Sequence, residues 1–176
     1  MPGLQAAEWE KLRKLASPEQ MNAVERALTQ VRSGQTVALA DAEIAAEALS
    51  KAGVSGVFAF HRTTPQGLQA IGESGQMIGH GVQGSRIYAF PANPGALASK
   101  AAGKAVGDEV ILFQGQAAAL FEALPLRGAM SAIGRYNNHR VSPVGRLVID
   151  EAESVGGALI VKRAHMVTSA TDRLTL

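Results

Sequence analysis

The sequence predicts an α+β fold, in which a helical N-terminal segment precedes a mixed or antiparallel β-sheet with short helices. Apolar residues recur at helical spacing through the first 53 residues. From Gly56 onward, short runs of β-branched and aromatic residues alternate with Gly- and Pro-rich turns, which is typical of strands. The last of these runs follow one another as in hairpins, so a regular parallel α/β sheet is not expected. The chain therefore divides into a helical cap or connector, residues 1–53, and an α+β domain, residues 54–176.

The composition is that of a folded protein without cysteine. Of the 176 residues, 47% are hydrophobic and 18% are charged, so the chain can bury a core. The absence of cysteine excludes disulfides and thiolate metal sites, and the four histidines lack ligand spacing, so no metal is expected. Aromatic residues make up only 5%, which argues against a stacking surface for single-stranded nucleic acid. No apolar run is long enough to span a membrane, and no signal peptide is expected in this chain.

Three helices are predicted in the N-terminal segment. The first spans Leu4–Ala16, and the third spans residues 41–51. The second begins at Ser17, because serine is a favoured N-cap and is followed by Pro18 at the first helical position and Gln20 at the third. This segment contains no histidine and no candidate catalytic residue.

The stretch from Gly56 to Pro94 carries the first candidate site. An apolar strand leads into His61, and a short helix begins at Thr64–Pro65 and ends at Ser74–Gly75. A Gly-rich loop follows, and then a strand over residues 86–90 that contains Tyr88. The stretch therefore places a histidine and a tyrosine on two strands that flank a loop.

The remaining elements alternate between strands and short helices. Strands are predicted at 109–113, 145–149 and 158–162 with a last edge at 166–167, and helices at 95–105 and 116–123. Asp150 and Glu151 are expected at the end of the 145–149 strand. A polar loop over residues 127–140 carries a second cluster of candidate residues, Arg135, Tyr136, Asn137, Asn138, His139 and Arg140. Such side chains can hold a phosphate or act as a general acid or base in RNA cleavage.

Residues 58–77, FAFHRTTPQGLQAIGESGQM, resemble the opening of one group of ADP-ribosyltransferase domains. The shared features are a strand with His-x-Thr at His61 and Thr63, a helix that ends in Ile-x-x-x-Gly, a Gly-containing loop, and a strand that carries Tyr88. The group is the His–Tyr–Asp/Glu class, in particular the toxin domains at the C-termini of bacterial polymorphic toxins.

The resemblance implies NAD as the substrate and gives each residue a role. His61 would bind a ribose hydroxyl, Tyr88 would pack on the nicotinamide ring, and Asp150 or Glu151 would be the catalytic acid. Gln114 is a further candidate for the third position. Three residues are expected to bind NAD, namely Arg62, Thr63 and Arg86, and one of the two arginines would bind the phosphates.

The leading hypothesis is thus a toxin domain that uses NAD to ADP-ribosylate a target, or that hydrolyses NAD. It implies a target macromolecule in a recipient cell, a dedicated immunity protein, and delivery as part of a longer protein. The first alternative is a metal-independent ribonuclease toxin, with RNA as its substrate and His61, Arg135, Tyr136, His139 and Arg140 as its site. The second alternative is a non-enzymatic module whose helical cap binds a partner.

Overall fold

The computed structural model describes residues 3–79, 87–92, 107–123, 140–141 and 145–167, and it confirms the α+β fold class. The helices are α1 (Ala6–Leu15), α2 (Pro18–Arg32), α3 (Leu39–Lys51), α4 (Pro65–Ser74) and α5 (Gln116–Ala119). The strands are β1 (Phe58–Thr63), β2 (Gln76–Ile78), β3 (Tyr88–Ala89), β4 (Glu109–Gln114), β5 (Glu122–Ala123), β6 (Arg140–Val141), β7 (Arg146–Val155) and β8 (Ala158–Met166). The predicted helix at 95–105 lies outside the described residues.

The start of α2 follows the predicted capping pattern. The Ser17 Oγ accepts a hydrogen bond from the Gln20 amide at 3.2 Å, and the Gln20 Oε1 accepts one from the Ser17 amide at 2.9 Å. These two bonds satisfy amide groups that the first helical turn leaves unpaired.

Among the helices of the described ranges, none is both long and apolar enough to cross a membrane.

Two sheets meet at β1. The larger is a mixed five-stranded sheet with the order β1-β4-β8-β7-β2, in which only the β4–β8 pair is parallel. The smaller is antiparallel with the order β3-β6-β5. Phe60 of β1 and Phe90, just after β3, exchange two backbone hydrogen bonds of 2.8 Å, so β1 borders both sheets.

The five-stranded sheet is covered on both faces. On the face that we call the α1–α3 face, the N-terminal helices pack against Phe58, Phe60, Leu112 and Ile160. On the opposite face, called the α4 face, α4 and α5 pack against Ala59, Ile111, Phe113, Leu147 and Val161. Successive residues of a strand point to opposite faces, which explains why neighbours such as Leu112 and Phe113 belong to different cores.

The β7–β8 hairpin is longer than predicted. Residues 146–155 form one strand and residues 158–166 the next, so Asp150 and Glu151 lie within β7 rather than at its end, and the separate edge at 166–167 is part of β8 and its end. Gly156 and Gly157 close the hairpin with φ values of 58° and 83°, the left-handed backbone that two-residue hairpin turns require. The predicted helix at 116–123 is shorter, because α5 ends at Ala119 and β5 follows.

A buried glutamine joins the helices to the sheet. Gln114, at the end of β4, is only 2% exposed. Its Oε1 accepts a hydrogen bond from the Val37 amide at 2.9 Å, and its Nε2 donates to the Gln35 carbonyl at 2.7 Å. The α2–α3 connection is therefore fixed to the sheet, and the N-terminal helices share one apolar core with β1, β4 and β8.

We expect Gln114→Leu to destabilise the protein, because it leaves the Val37 amide and the Gln35 carbonyl without their partner. Each buried group left unpaired costs about 1–3 kcal/mol. Urea denaturation measures the loss, and Gln66→Leu, the same change at an exposed site on α4, is the control and should have little effect. Equal unfolding midpoints for the two variants would show that the Gln114 bonds contribute nothing.

Candidate functional site

The strands that carry His61 and Tyr88 lie side by side. His61 directly follows Phe60, and Ala89 directly precedes Phe90, the two residues that pair β1 with the end of β3. Paired strands are about 4.8 Å apart, so the backbones at His61 and Ala89 are close neighbours, and Tyr88 is the next residue along β3.

His61 belongs to the α4 face. Phe58 and Phe60 pack on the other side of β1, whereas Ala59 packs on the α4 side, and alternation gives His61 the same direction as Ala59. Its partner in the register is Ile111, which is also in the α4-face core. The side chain of His61 is half-buried, so it lies at the margin of that core.

The end of β1 is held by a tight corner. The Thr64 Oγ1 caps α4 by accepting a hydrogen bond from the Gly67 amide at 3.0 Å. A Cβ atom at Gly67 would come within 2.2 Å of the Thr63 Oγ1, so the first turn of α4 lies directly over the Thr63 hydroxyl. This contact gives Thr63, a predicted NAD-binding residue, a packing role at the corner.

Arg62 is tied to the turn before β4. Its side chain is only 8% exposed, its Nε donates to the Gly107 carbonyl at 3.2 Å, and its Nη2 contacts the Asp108 carboxylate at 3.3 Å. Gly107 is in the left-handed region at φ 76°, and a Cβ atom there would lie 2.2 Å from the Thr63 carbonyl oxygen. The sequence predicted Arg62 as a phosphate ligand, whereas the structure shows it joining the two strands.

Glu109 is a carboxylate near His61 that the sequence analysis did not single out. It pairs with Thr63 in the β1–β4 register, two positions along from the His61–Ile111 pair. Because Ile111 packs in the α4-face core, alternation places Glu109 on the same face as His61. The signal in the sequence was a charged residue at the start of an otherwise apolar strand, EVILF.

Asp150 and Glu151 are not brought to His61. They lie on β7, which β4 and β8 separate from β1, and three strand spacings amount to about 14 Å. Glu151 also lines a cleft with Arg32 of α2 and with Gln114, which places it on the α1–α3 face. Glu151 and His61 are therefore on opposite faces of the sheet. Asp150 shares the face of Glu151, because its partner His165 pairs with Val148, which points away from its α4-face neighbours Leu147 and Ile149.

Asp150 and Glu151 instead belong to an ionic cluster at two irregularities of the β7–β8 register. The Glu151 carboxylate contacts the Lys162 Nζ at 3.2 Å and the Arg163 Nε at 2.9 Å. Contacts with Lys162 first, and with Arg163 next, hold the pKa of Glu151 below its ordinary value. The Asp150 carboxylate contacts the His165 Nδ1 at 2.8 Å.

Gln114, the other candidate for the third position, faces away from His61. Both ends of its amide are bonded to the backbone of the α2–α3 connection on the α1–α3 face. This position is therefore structural in the described part of the molecule.

The second predicted cluster is adjacent to the strand of Tyr88. Arg140 on β6 pairs with Ala89 of β3, and Val141 pairs with Tyr88. The backbones at His61, Ala89 and Arg140 thus lie on three consecutive strands. Six predicted residues lie outside the described residues, namely Arg86, Arg135, Tyr136, Asn137, Asn138 and His139. Within the described ranges, no group of three or more His, Asp or Glu residues could hold a metal ion.

A scan of protein-family models finds no match to this chain, and a search of curated proteins finds no similar sequence. Inference about function therefore depends on the side chains and on the strands that position them. The β1–β3–β4 region of the described structure combines three features. They are His61, the Glu109 carboxylate on the same face, and the neighbouring strand that carries Tyr88.

We expect Glu151 to contribute a pH-dependent part of the stability. Because its pKa is lower in the folded state, its ionised form stabilises the protein above the unfolded-state pKa, and this contribution is lost as the pH falls through the lowered value. Glu151→Gln should therefore be less stable than the wild type at neutral pH, and the difference should vanish at acidic pH. Urea titrations across this range measure it.

The control for this measurement is Glu10→Gln on α1, which removes an ion pair with Lys14 whose two side chains are mostly exposed. Such a pair contributes little, so this variant should follow the wild type at every pH. A difference between Glu151→Gln and the wild type that stays constant with pH would contradict the assignment.

Proposed function

We propose that this chain is a toxin domain of the ADP-ribosyltransferase type, which cleaves NAD between nicotinamide and ribose at the junction of β1 and β3. The observation that carries the proposal is the Phe60–Phe90 pairing, which sets the strand of His61 beside the strand of Tyr88. The sequence resemblance assigns these two residues to one dinucleotide, and the neighbouring strands support that assignment.

The chemistry suits the residue types. Cleavage of the glycosidic bond develops positive charge on the ribose, so the reaction is favoured by fixed orientation of the sugar and by a nearby carboxylate. A half-buried histidine such as His61 can donate a hydrogen bond to a ribose hydroxyl. The ring of Tyr88 offers an aromatic surface for nicotinamide.

In this proposal the carboxylate is Glu109. Asp150 and Glu151, which the sequence favoured, lie on the α1–α3 face and are engaged with His165, Lys162 and Arg163. Glu109 shares the α4 face with His61 and pairs with Thr63. Of the two predicted phosphate-binding arginines, Arg86 keeps that role here, because Arg62 is bonded to the turn before β4.

The proposal predicts that His61→Ala and Tyr88→Ala each lower NAD turnover by about 100-fold or more without unfolding the protein, since groups that orient the substrate contribute on that scale. Glu109→Gln should cause a comparable loss. Nicotinamide release, with and without cell lysate as acceptor, measures turnover, and calorimetry measures NAD binding.

The matched control is His165→Ala, which removes a half-exposed histidine on the α1–α3 face. This variant and Glu151→Gln should keep wild-type turnover. Full activity in His61→Ala and Tyr88→Ala would refute the proposal. Loss of activity in Glu151→Gln or Asp150→Asn, with Glu109→Gln active, would show that the catalytic carboxylate lies on β7 and is not Glu109.

A metal-independent ribonuclease is the second candidate, and the pairing of β3 with β6 favours it. That pairing sets Arg140 of the second cluster next to the strand of Tyr88, so only β3 lies between the strands of Arg140 and His61. A histidine can act as a general base in RNA cleavage, and arginines can hold the phosphate, without a cofactor.

The ribonuclease candidate predicts cleavage of total tRNA in EDTA and without NAD. Activity should fall by about 100-fold or more in both His61→Ala and His139→Ala, because both would carry protons in the reaction. His165→Ala is again the control. Intact tRNA after prolonged incubation would eliminate this candidate, and absence of both NAD turnover and RNA cleavage in the wild-type protein would favour the non-enzymatic module.

Either toxic activity implies an immunity protein and a target. The producing cell would need a dedicated immunity protein, and the excess of positive charge after Gly56 would favour an acidic one. The target would lie in the cytoplasm of a recipient cell, and the domain would arrive there as part of a longer protein.

A further inference from the structure

A charged cleft lies on the α1–α3 face, away from His61. It has a volume of about 280 Å³ and is formed where the end of α2 meets the turn after β4 and the middle of the β7–β8 hairpin. The lining side chains that matter for its chemistry are Arg32, Gln114, Gln116, Glu151, Lys162 and Arg163.

Cations outnumber carboxylates in this lining. Arg32, Lys162 and Arg163 carry three positive charges, and Glu151 carries one negative charge, which leaves an excess of two. Lys162 is only 15% exposed and has the Glu151 carboxylate as its ion-pair partner. Within the described part of the chain, Arg32 has no carboxylate partner, so its charge is available to a ligand.

The cations of this lining come from two parts of the fold. Register irregularities on β7 and β8 allow Lys162 and Arg163, which are consecutive residues, to reach one carboxylate instead of pointing to opposite faces. From the other side, the Arg32 guanidinium packs over Gly3, where a Cβ atom would lie 2.1 Å from Nη2. The cleft therefore collects its cations from the end of one helix and from one hairpin.

The neighbouring glutamines are oriented by the fold. The Gln116 Oε1 accepts a hydrogen bond from the Ala164 amide at 3.0 Å, so the group that remains on this lining residue is an NH₂, which can only donate. Gln114 uses both ends of its amide elsewhere and forms part of the wall. The available polar groups are therefore donors, apart from the Glu151 carboxylate.

We propose that this cleft binds the phosphate group of a small phosphorylated molecule, with Arg32 and Arg163 as its principal ligands. Guanidinium groups bind tetrahedral oxyanions through paired hydrogen bonds, and two of them with a lysine can surround one phosphate. The volume suits a phosphate with a small organic group rather than a whole dinucleotide. The site is independent of NAD cleavage, because it lies on the opposite face of the sheet from His61.

Calorimetric titration with inorganic phosphate, at constant ionic strength, tests the proposal. We expect saturable binding at one site, with Arg32→Gln and Arg163→Gln each weakening it about tenfold, as loss of one charge-assisted bidentate contact does. The matched control is Arg26→Gln, which removes the same charge from the same helix at a side chain that is 61% exposed and pairs with Asp41. That variant should bind phosphate as the wild type does.

Glu151→Gln gives a change of opposite sign. The carboxylate competes with a bound anion for Lys162 and Arg163, so its removal should tighten phosphate binding, which a general loss of folding could not do. Ribose 5-phosphate should bind more tightly than inorganic phosphate if the natural ligand is a phosphorylated metabolite, and equally if the natural ligand is free phosphate.

Three results would overturn the proposal. Binding that does not saturate would show that no site exists. Equal weakening in Arg26→Gln and Arg32→Gln would show that phosphate responds only to net charge. Preference for an RNA oligonucleotide over ribose 5-phosphate, with the same dependence on Arg32 and Arg163, would make the cleft a nucleic-acid contact instead.

Discussion

Burial of the five-stranded sheet on both faces is the constraint on which the rest of this structure depends. Leu112 and Ile160 are fully buried against α1–α3, while Phe113 and Val161 are fully buried on the α4 face. Polar groups in such strands must find partners or lie at strand ends. This explains why Gln114 is bonded at both ends of its amide, why His61 lies near the end of β1, and why the ionic cluster occurs where the β7–β8 register is irregular.

The locally determined parts of the fold could be predicted from the sequence. The capping residues at Ser17 and Thr64 and the apolar strands before His61 and after Glu109 are encoded within a few residues, and the structure contains each of these elements. The full length of β7 could not be predicted, because residues such as Asp150 and Glu151 resemble a turn. They are strand residues because β7 pairs with β8 on both sides of them, because Lys162 and Arg163 contact Glu151, and because His165 contacts Asp150.

The assembly of a site from distant strands is harder to predict from sequence than local elements are. The neighbourhood of His61 and Tyr88 follows from a short strand–helix–loop–strand segment, so sequence spacing was informative. The relation of His61 to Glu151 or to Glu109 depends on which strands pair, and in which register, over separations that no local pattern specifies. A shift of one residue in the β1–β4 register would move Glu109 to the other face, and no short-range pattern in the sequence specifies that register.

The cleft on the α1–α3 face has parts that come together by different routes. Glu151, Lys162 and Arg163 belong to one hairpin that Gly156 and Gly157 close, so little chain entropy is lost in bringing them together. Arg32 reaches them only when α2 is docked on the sheet. An anion that contacts Arg32 and Arg163 at once therefore binds the docked arrangement alone, and mass action makes it a stabiliser of the contact between the helical layer and the sheet. A higher ligand concentration would then lower the fraction of molecules in which the helical layer is detached from the sheet.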